Sequence, residues 1–390
     1  MSILAVILTP TFGNAAPSYS LSQLSAPTGF SFIVASAINQ NGQIAGTSAF
    51  IDVEPAHSPG YIVGARATIW LNGNAQAIDG GAGKYSHGNA INDLGQVAGV
   101  SYTQSPDFMQ YNTQVPEGLE SIPPGPTTYD AQATVWHNGT VTTLAGLSNQ
   151  YGTANAINNQ GQLVGWSFND QNKQTATSWR NGNAIALTTT GSASEASDIN
   201  NQGQAVGWQN IGDRANAVFW TSDNQLIELA SLGGIGSQAF AINDAGWAVG
   251  WSTSADLQQH ATLWADGEAI DLGILGGHAS YAYGINNLGQ VVGSYINSPQ
   301  DGFAEFAILW ENGNAINLNS LIGDSMGVTL ISANGINDQG WIIAQGEDSH
   351  GHLGYYLLAP VPEPSTYALL LAGLGLITGV SQRKSRAINA

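Results

Sequence analysis

The chain has 390 residues, no cysteine and a formal net charge of −19. Without cysteine, disulfides and thiolate-bound metals are excluded. Three of the eight basic residues stand in the last eight positions, so residues 1–360 hold 26 acidic and 5 basic side chains, a balance that disfavours nucleic acid as a partner.

The first segment is Met1-Ser2-Ile3-Leu4-Ala5-Val6-Ile7-Leu8, followed by Gly13-Asn14-Ala15-Ala16. An apolar run before small residues is a secretory signal pattern, so residues 1–16 are expected to be removed after Ala15 or Ala16. The positive n-region of such a signal is absent, which suggests a true start upstream of Met1. Next comes Tyr19-Ser20-Leu21-Ser22-Gln23-Leu24, an alternating strand-like piece with no partner beside it.

Then a phrase begins to recur: Ile38-Asn39-Gln40-Asn41-Gly42-Gln43-Ile44-Ala45-Gly46. It restarts at Ile91, Ile157, Ile199, Ile242, Ile285 and Ile336, and three consecutive steps are 42, 43 and 43 residues. A second signature follows each phrase, as in Ala176-Thr177-Ser178-Trp179 or Ala261-Thr262-Leu263-Trp264. The last repeat offers Leu353-Gly354-Tyr355-Tyr356, so Tyr356 is expected in the Trp place. A third piece closes each unit, such as Ala269-Ile270-Asp271-Leu272-Gly273. Alternation over four to seven residues between Gly and Asn punctuation predicts strands, not helices. Asn bonds its own backbone two residues on, and Gly supplies positive φ, so the phrase reads strand, turn, strand.

Four short strands per unit of about 43 residues predict an all-β, seven-bladed β-propeller over residues 17–360. The Ile-Asn strand is placed innermost and the Ile-x-Leu strand outermost. The seventh repeat lacks its outermost strand, and residues 19–24 supply one, so the N-terminal strand is expected to pair with the last blade and close the ring. A β-solenoid is the alternative, but its coils need no complementary ends. The repeated aromatics are expected to pack between blades.

Insertions separate the second and third strands at Ala49–Ala65, Tyr102–Ala131 and Asn297–Ala304. They carry Phe50, Tyr61, Phe108, Tyr111, Tyr129, Phe303 and Phe306, with Asp52, Glu54, Asp107, Asp301 and Glu305. Loops on a rigid scaffold commonly carry function, and aromatics with carboxylates suit sugars. The same aromatics also serve to anchor long loops. Four residues before each repeated Ile stand Val34, His87, Thr153, Glu195, Gln238, Tyr281 and Ser332. Two before it stand Ser36, Asn89, Asn155, Ser197, Phe240, Tyr283 and Asn334, while the intervening positions are nearly all Ala or Gly. Variation inside a regular repeat marks positions the scaffold does not dictate. The expected ligand-binding set is therefore His87, Glu195, Gln238, Tyr281 and Tyr283, with Tyr111 and Tyr129 from the insertions.

No His-Glu-x-x-His or P-loop is present. The expectation is a binding protein without cofactor, metal or catalytic residue. The competing class is a polysaccharide lyase or hydrolase using His87, Glu195 and Tyr281, and a purely structural surface protein is a third. His350-Gly351-His352 reads as an exposed loop, because a metal site needs three or four placed ligands. The Asn-Asp pairs, such as Asn92-Asp93, read as turns rather than calcium loops.

The chain ends with Pro362-Glu363-Pro364, an apolar run from Tyr367 to Val380, and the basic cluster Arg383, Lys384, Arg386. Those 14 apolar residues span about 21 Å as a helix, short of a ~30 Å hydrocarbon core, and the basic end holds to the cytoplasm. The three parts resemble the PEP-CTERM sorting signal. The resemblance implies an exosortase-type processing peptidase as partner, transient anchoring in the inner membrane, and delivery to the surface or an exopolysaccharide matrix. The repeats resemble the extracellular HAF family, through Ile-Asn-x-x-Gly-Gln, Trp and Asp-Leu-Gly elements and His260-Ala261-Thr262-Leu263-Trp264. That family carries no catalytic motif to transfer.

Overall fold

A computed structural model describes residues 18–52, 61–78, 85–102, 131–149, 151–188, 193–212, 214–297, 302, 304–323 and 327–361. The signal segment, most of the second insertion with Tyr111 and Tyr129, and residues 362–390 lie outside them. Among the described residues there are 28 strands and no α-helix. After β1 (Ser18–Gln23), the first unit is β2 (Phe32–Ile38), β3 (Ile44–Asp52), β4 (Tyr61–Leu71) and β5 (Asn74–Ala77). The second is β6 (Tyr85–Ile91), β7 (Val97–Tyr102), β8 (Gln132–His137) and β9 (Thr140–Leu144), and the third is β10 (Gly152–Ile157) through β13 (Asn183–Ala186). The fourth runs from β14 (Ser194–Ile199) to β17 (Leu226–Glu228), the fifth from β18 (Gly233–Ile242) to β21 (Glu268–Asp271), and the sixth from β22 (Ala279–Ile285) to β25 (Asn314–Asn317). Each unit is an antiparallel meander, and a lone parallel pair, Ala65 with Tyr85, links the first two sheets.

The last sheet has the order β1-β28-β27-β26, built from β26 (Thr329–Ile336), β27 (Ile342–Glu347) and β28 (Leu353–Val361). The N-terminal β1 lies antiparallel on β28, from Ser18 opposite Val361 to Gln23 opposite Tyr356. The segment after β1 also behaves as the segment after any outer strand. Trp70 Nε1 donates to Ser25 O at 2.8 Å, as Trp179 Nε1 donates to Ala145 O and Trp264 Nε1 to Ala230 O. Leu24 N donates to Tyr355 O, as Leu187 N donates to Ala176 O.

The core lies between neighbouring sheets. Trp70, Trp136, Trp179 and Trp220 are at most 2 % exposed, and Ala67, Ala133, Ala176, Ala217, Ala261 and Ala307 are fully enclosed. Small residues let the sheets approach, and one large ring per unit fills the wedge between them. One expectation needs correction. Each repeated Trp pairs with the first residue of the second strand, as Trp179 does with Leu163. In the seventh unit that partner is Ile342, and it faces Leu358. Leu358 therefore holds the Trp place, and Tyr356 sits two residues earlier. Because strand side chains alternate, Tyr356 still points to the same face and is 3 % exposed. Its ring lies against the glycines at 346 and 354.

Every inner strand carries a register shift two residues before the repeated Ile. In the second unit it falls between Gly88 and Ala90, leaving Asn89 as an extra residue. The bulge explains the glycine that closes each phrase. A Cβ on Gly99, Gly165, Gly207, Gly250 or Gly293 would collide with the carbonyl of the residue four before the Ile. In the seventh unit Ala344 stands there instead, and the strand has a second register shift between Leu330 and Ser332.

At the turns, the repeated Asn does two jobs. Asn158 Oδ1 accepts from Gln160 N (3.1 Å) and Gln162 N (2.9 Å) in its own hairpin. Its Nδ2 donates across to Asn200 O at 3.0 Å. The same inter-unit bond runs from Asn39 to Asn92, Asn92 to Asn158, Asn200 to Asn243, Asn243 to Asn286, Asn286 to Asn337, and Asn337 back to Asn39. A second circuit runs beside it. Each following residue donates its N–H to the next unit's side chain, as Gln40 does to Asp93 and Asp338 to Gln40.

Candidate functional site

Consecutive inner strands touch in order, and β26 touches β2, so their unpaired edges share a common axis. The positions four and two before each Ile sit on these strands, at or just before the bulge, away from the Asn turns. In the fifth and sixth units they form an aromatic step. Phe240 meets Tyr283 at 5.8 Å between ring centroids, and Tyr283 lies parallel to Tyr281 at 6.1 Å and 6°. Tyr281 Oη donates to Gln259 Oε1 of the preceding unit, and Ser294 Oγ donates to Tyr283 Oη at 3.5 Å. Glu305 on β24 (Glu305–Glu311) stands close enough for its charge to act on both phenols. Burial raises both phenols and the Glu305 carboxyl, and the Glu305 charge adds to the rise at the tyrosines. Gln238 stands at the equivalent place on β18, with its carbonyl against Gly250.

Glu195 occupies the same place in the fourth unit. Its carboxylate accepts from Asn155 Nδ2 at 2.8 Å and from Gln174 Nε2 at 2.9 Å, both from the third unit. Burial nevertheless raises its pKa, against the effect of those donors. His87 in the second unit lies edge-on to Tyr102 at 5.9 Å. Its Nε2 is buried without a hydrogen-bond partner, and burial lowers the imidazole to about 4, so it is neutral at pH 7. The structure thus brings Tyr281 and Tyr283 together. Among the described residues, no hydrogen bond or ring contact joins His87, Glu195 and Tyr281.

One residue the sequence reading passed over is Asp198. The position just before the repeated Ile is Ala37, Ala90, Ala156, Ala241, Gly284 and Gly335 in the other units, and Asp198 in the fourth. Its carboxylate accepts from Ile199 N at 2.8 Å and from Ile242 N of the next unit at 2.9 Å. Burial pushes it up to about 7 despite those bonds. The signal was a single acid in a column of small residues. Because the folded value exceeds the ordinary one near 3.8, the protonated form favours folding. That contribution is complete below about 3.8 and is lost as pH rises through about 7. The thermal midpoint of the parent should therefore fall more between pH 5 and pH 8 than that of Asp198→Ala. Six sister units already fold with Ala or Gly there, so the variant keeps the scaffold. Equal pH slopes in thermal melts would show that Asp198 does not titrate in this range.

The insertion aromatics that are described serve the scaffold. Phe50 stacks on Phe30 at 4.2 Å, and Phe306 leans on Tyr295 at 5.5 Å. The first insertion extends the β3–β4 hairpin as far as Asp52 opposite Tyr61. The His and Asp of the two repeat signatures also meet: His260 Nδ1 and Asp271 Oδ2 are 2.8 Å apart on adjacent strands.

Antiparallel four-stranded units around a shared axis define a β-propeller. The chain is similar to the β-propeller domain of the Trilobed protease from Pyrococcus furiosus, with a TM-score of 0.52 and 10% identity over 85% of this chain and 99% of that one. At that identity the likeness shows the fold alone. Weaker likenesses are to TolB from Acinetobacter baumannii (TM-score 0.40, 11% identity, 59% of this chain) and Trypanosoma rangeli sialidase (0.42, 12%, 88% of this chain). This chain spans 60% of the length of each. No curated protein matches. Residues 360–385 match the PEP-CTERM protein-sorting motif, which marks an exported protein sorted by an exosortase. The expected membrane run, Tyr367–Val380, lies outside the described residues, among which no helix is long and apolar enough to cross a membrane.

Proposed function

We propose that the protein is a surface- or matrix-associated, seven-bladed propeller of HAF-type repeats, closed by β1, that binds extracellular polysaccharide. The observation that carries this reading is the half-buried aromatic step of Phe240, Tyr283 and Tyr281, flanked by Gln259 and Glu305. Aromatic faces pack on the apolar faces of sugar rings, and carboxamides and carboxylates beside them take the hydroxyls. Gln238, Glu195 and His87 extend the same band, and the reading adds Tyr111 and Tyr129 of the second insertion, which lie outside the described residues. The sorting motif supports placement outside the cell, after cleavage near Pro362-Glu363-Pro364 and loss of the tail bearing Arg383, Lys384 and Arg386. No cofactor is assigned.

The full chain in detergent, screened on a glycan array, should bind acidic or neutral polysaccharides. Tyr281→Ala should weaken that binding about 5- to 150-fold, as loss of one stacking contact of about 1–3 kcal/mol would. Tyr111→Ala with Tyr129→Ala should also weaken it, with an unchanged thermal midpoint. Binding that survives all three changes but is lost in Asp93→Asn or Asp244→Asn would place the ligand on the turn face instead. A second reading, a polysaccharide lyase or hydrolase, would draw on His87, Glu195 and Tyr281, titratable side chains at one place in three units. Release of unsaturated or reducing ends from a bound glycan would decide for it.

A further inference from the structure

The hairpin between β27 and β28 closes on Asp348-Ser349-His350-Gly351-His352. Asp348 Oδ1 accepts from His350 N at 2.7 Å and His352 N at 3.0 Å, and Gly351 adopts φ +83°. The third unit builds the same turn without histidine. Asn169 Oδ1 accepts from Gln171 N and Lys173 N, and Asn172 takes the positive φ. The fifth unit does so with Ser254-Ala255-Asp256-Leu257-Gln258, where Ser254 O accepts from Leu257 N and Leu257 takes the positive φ. The turn therefore needs an acceptor at its first place and a left-handed residue at its fourth. Nothing in the backbone asks for imidazoles at the third and fifth, yet two of the chain's seven histidines stand there.

Their donor atoms converge. The ligating atoms of Asp348, His350 and His352 all lie within 4.8 Å of one another. Asp348 Oδ2 is 3.1 Å from His352 Nδ1, Asp348 Oδ1 is 3.9 Å from His350 Nδ1, and the imidazoles stack at 5.9 Å. Glu347 Oε1 lies beside Gly351. The sequence reading lacked a third ligand, and Asp348 supplies it.

We propose that Asp348, His350 and His352 form a binding site for a divalent transition metal of the zinc class. Two imidazole nitrogens and one carboxylate oxygen suit Zn²⁺, Ni²⁺ or Cu²⁺, whereas Ca²⁺ and Mg²⁺ prefer an all-oxygen shell. The backbone already holds the carboxylate in place, so binding orders only two side chains. Both imidazoles are more than three-quarters exposed, so the remaining coordination positions open to solvent and to a ligand from outside.

The test is a titration of the full chain with Zn²⁺ by calorimetry and with Co²⁺ by visible absorption. The expected result is one equivalent per chain and a Co²⁺ ligand-field band. His350→Gln and His352→Gln should each weaken binding at least about tenfold. Both substitutions copy residues that sister turns carry, Gln171 and Gln258, so the hairpin still forms. His137→Gln, at the end of β8 and apart from this hairpin, should change nothing. Absence of binding by the parent chain, or equal binding by the His350→Gln, His352→Gln double variant, overturns the proposal.

Discussion

Deleting residues 18–23 should cost the protein most of its stability and replace one sharp unfolding transition by a broad one. The strand they form supplies all six residue pairs that cover the outer edge of β28. It also inserts Tyr19, 5 % exposed, whose N–H donates to Leu321 O at 3.0 Å, and positions Leu24, also 5 % exposed. Burying two such side chains contributes about 1.5–3 kcal/mol each. With the lost ladder, the total approaches the whole stability of an ordinary domain, roughly 5–15 kcal/mol. The deletion also bares a long edge strand and unties the segment whose Ser25 carbonyl anchors Trp70, so aggregation should accompany the loss. The measurement is denaturant unfolding followed by Trp fluorescence and by far-ultraviolet circular dichroism. Retention of a single, coincident transition at nearly the parent midpoint would show that β1 is an ornament.

Asn243→Ala should be a severely damaging substitution at the turns, at about 4 kcal/mol. The side chain is 4 % exposed and makes three bonds: from Ala245 N, from Trp247 N, and to Asn286 O, at 3.0, 3.0 and 3.1 Å. Each bond contributes about 0.5–1.5 kcal/mol net, and each buried partner left bare costs about 1–3 kcal/mol. Asn243→Asp should be nearly as severe, because it keeps the acceptor but sets a carboxylate oxygen against a carbonyl. Chemical denaturation of both variants beside Asn138→Ala, an exposed positive-φ turn position, gives the comparison. A cost below about 1 kcal/mol for Asn243→Ala would mean that the inter-unit bond contributes nothing.

Much of this fold could be read from spacing. The alternation, the punctuation by Asn and Gly, and the unmatched piece at Tyr19–Leu24 each state a local rule, and local rules repeat visibly. The bulges could not be read so directly. An extra residue inside a strand leaves the period intact, and only the closing glycine betrays the carbonyl that crowds it. Tyr356 was misplaced by two residues because aromatic character was weighed above register, and register follows from pairing with Ile342. The inter-unit half of the Asn bonding was invisible for a similar reason: the local turn already accounts for the residue. At the candidate site, the variable column put Tyr281 and Tyr283 in one set but did not state that their rings meet. It did not predict Phe240 as the third ring, nor Asp198, which hid among alanines.

The paired circuits at the turns have a bearing on how such a chain can change through duplication. Every amide in the first circuit points the same way round, from Asn39 to Asn92 and onward until Asn337 returns to Asn39. A repeat copied with its Asn brings both the donor for the next unit and the acceptor carbonyl for the one before. Neighbouring copies therefore join by the same bond however far the rest of each repeat drifts.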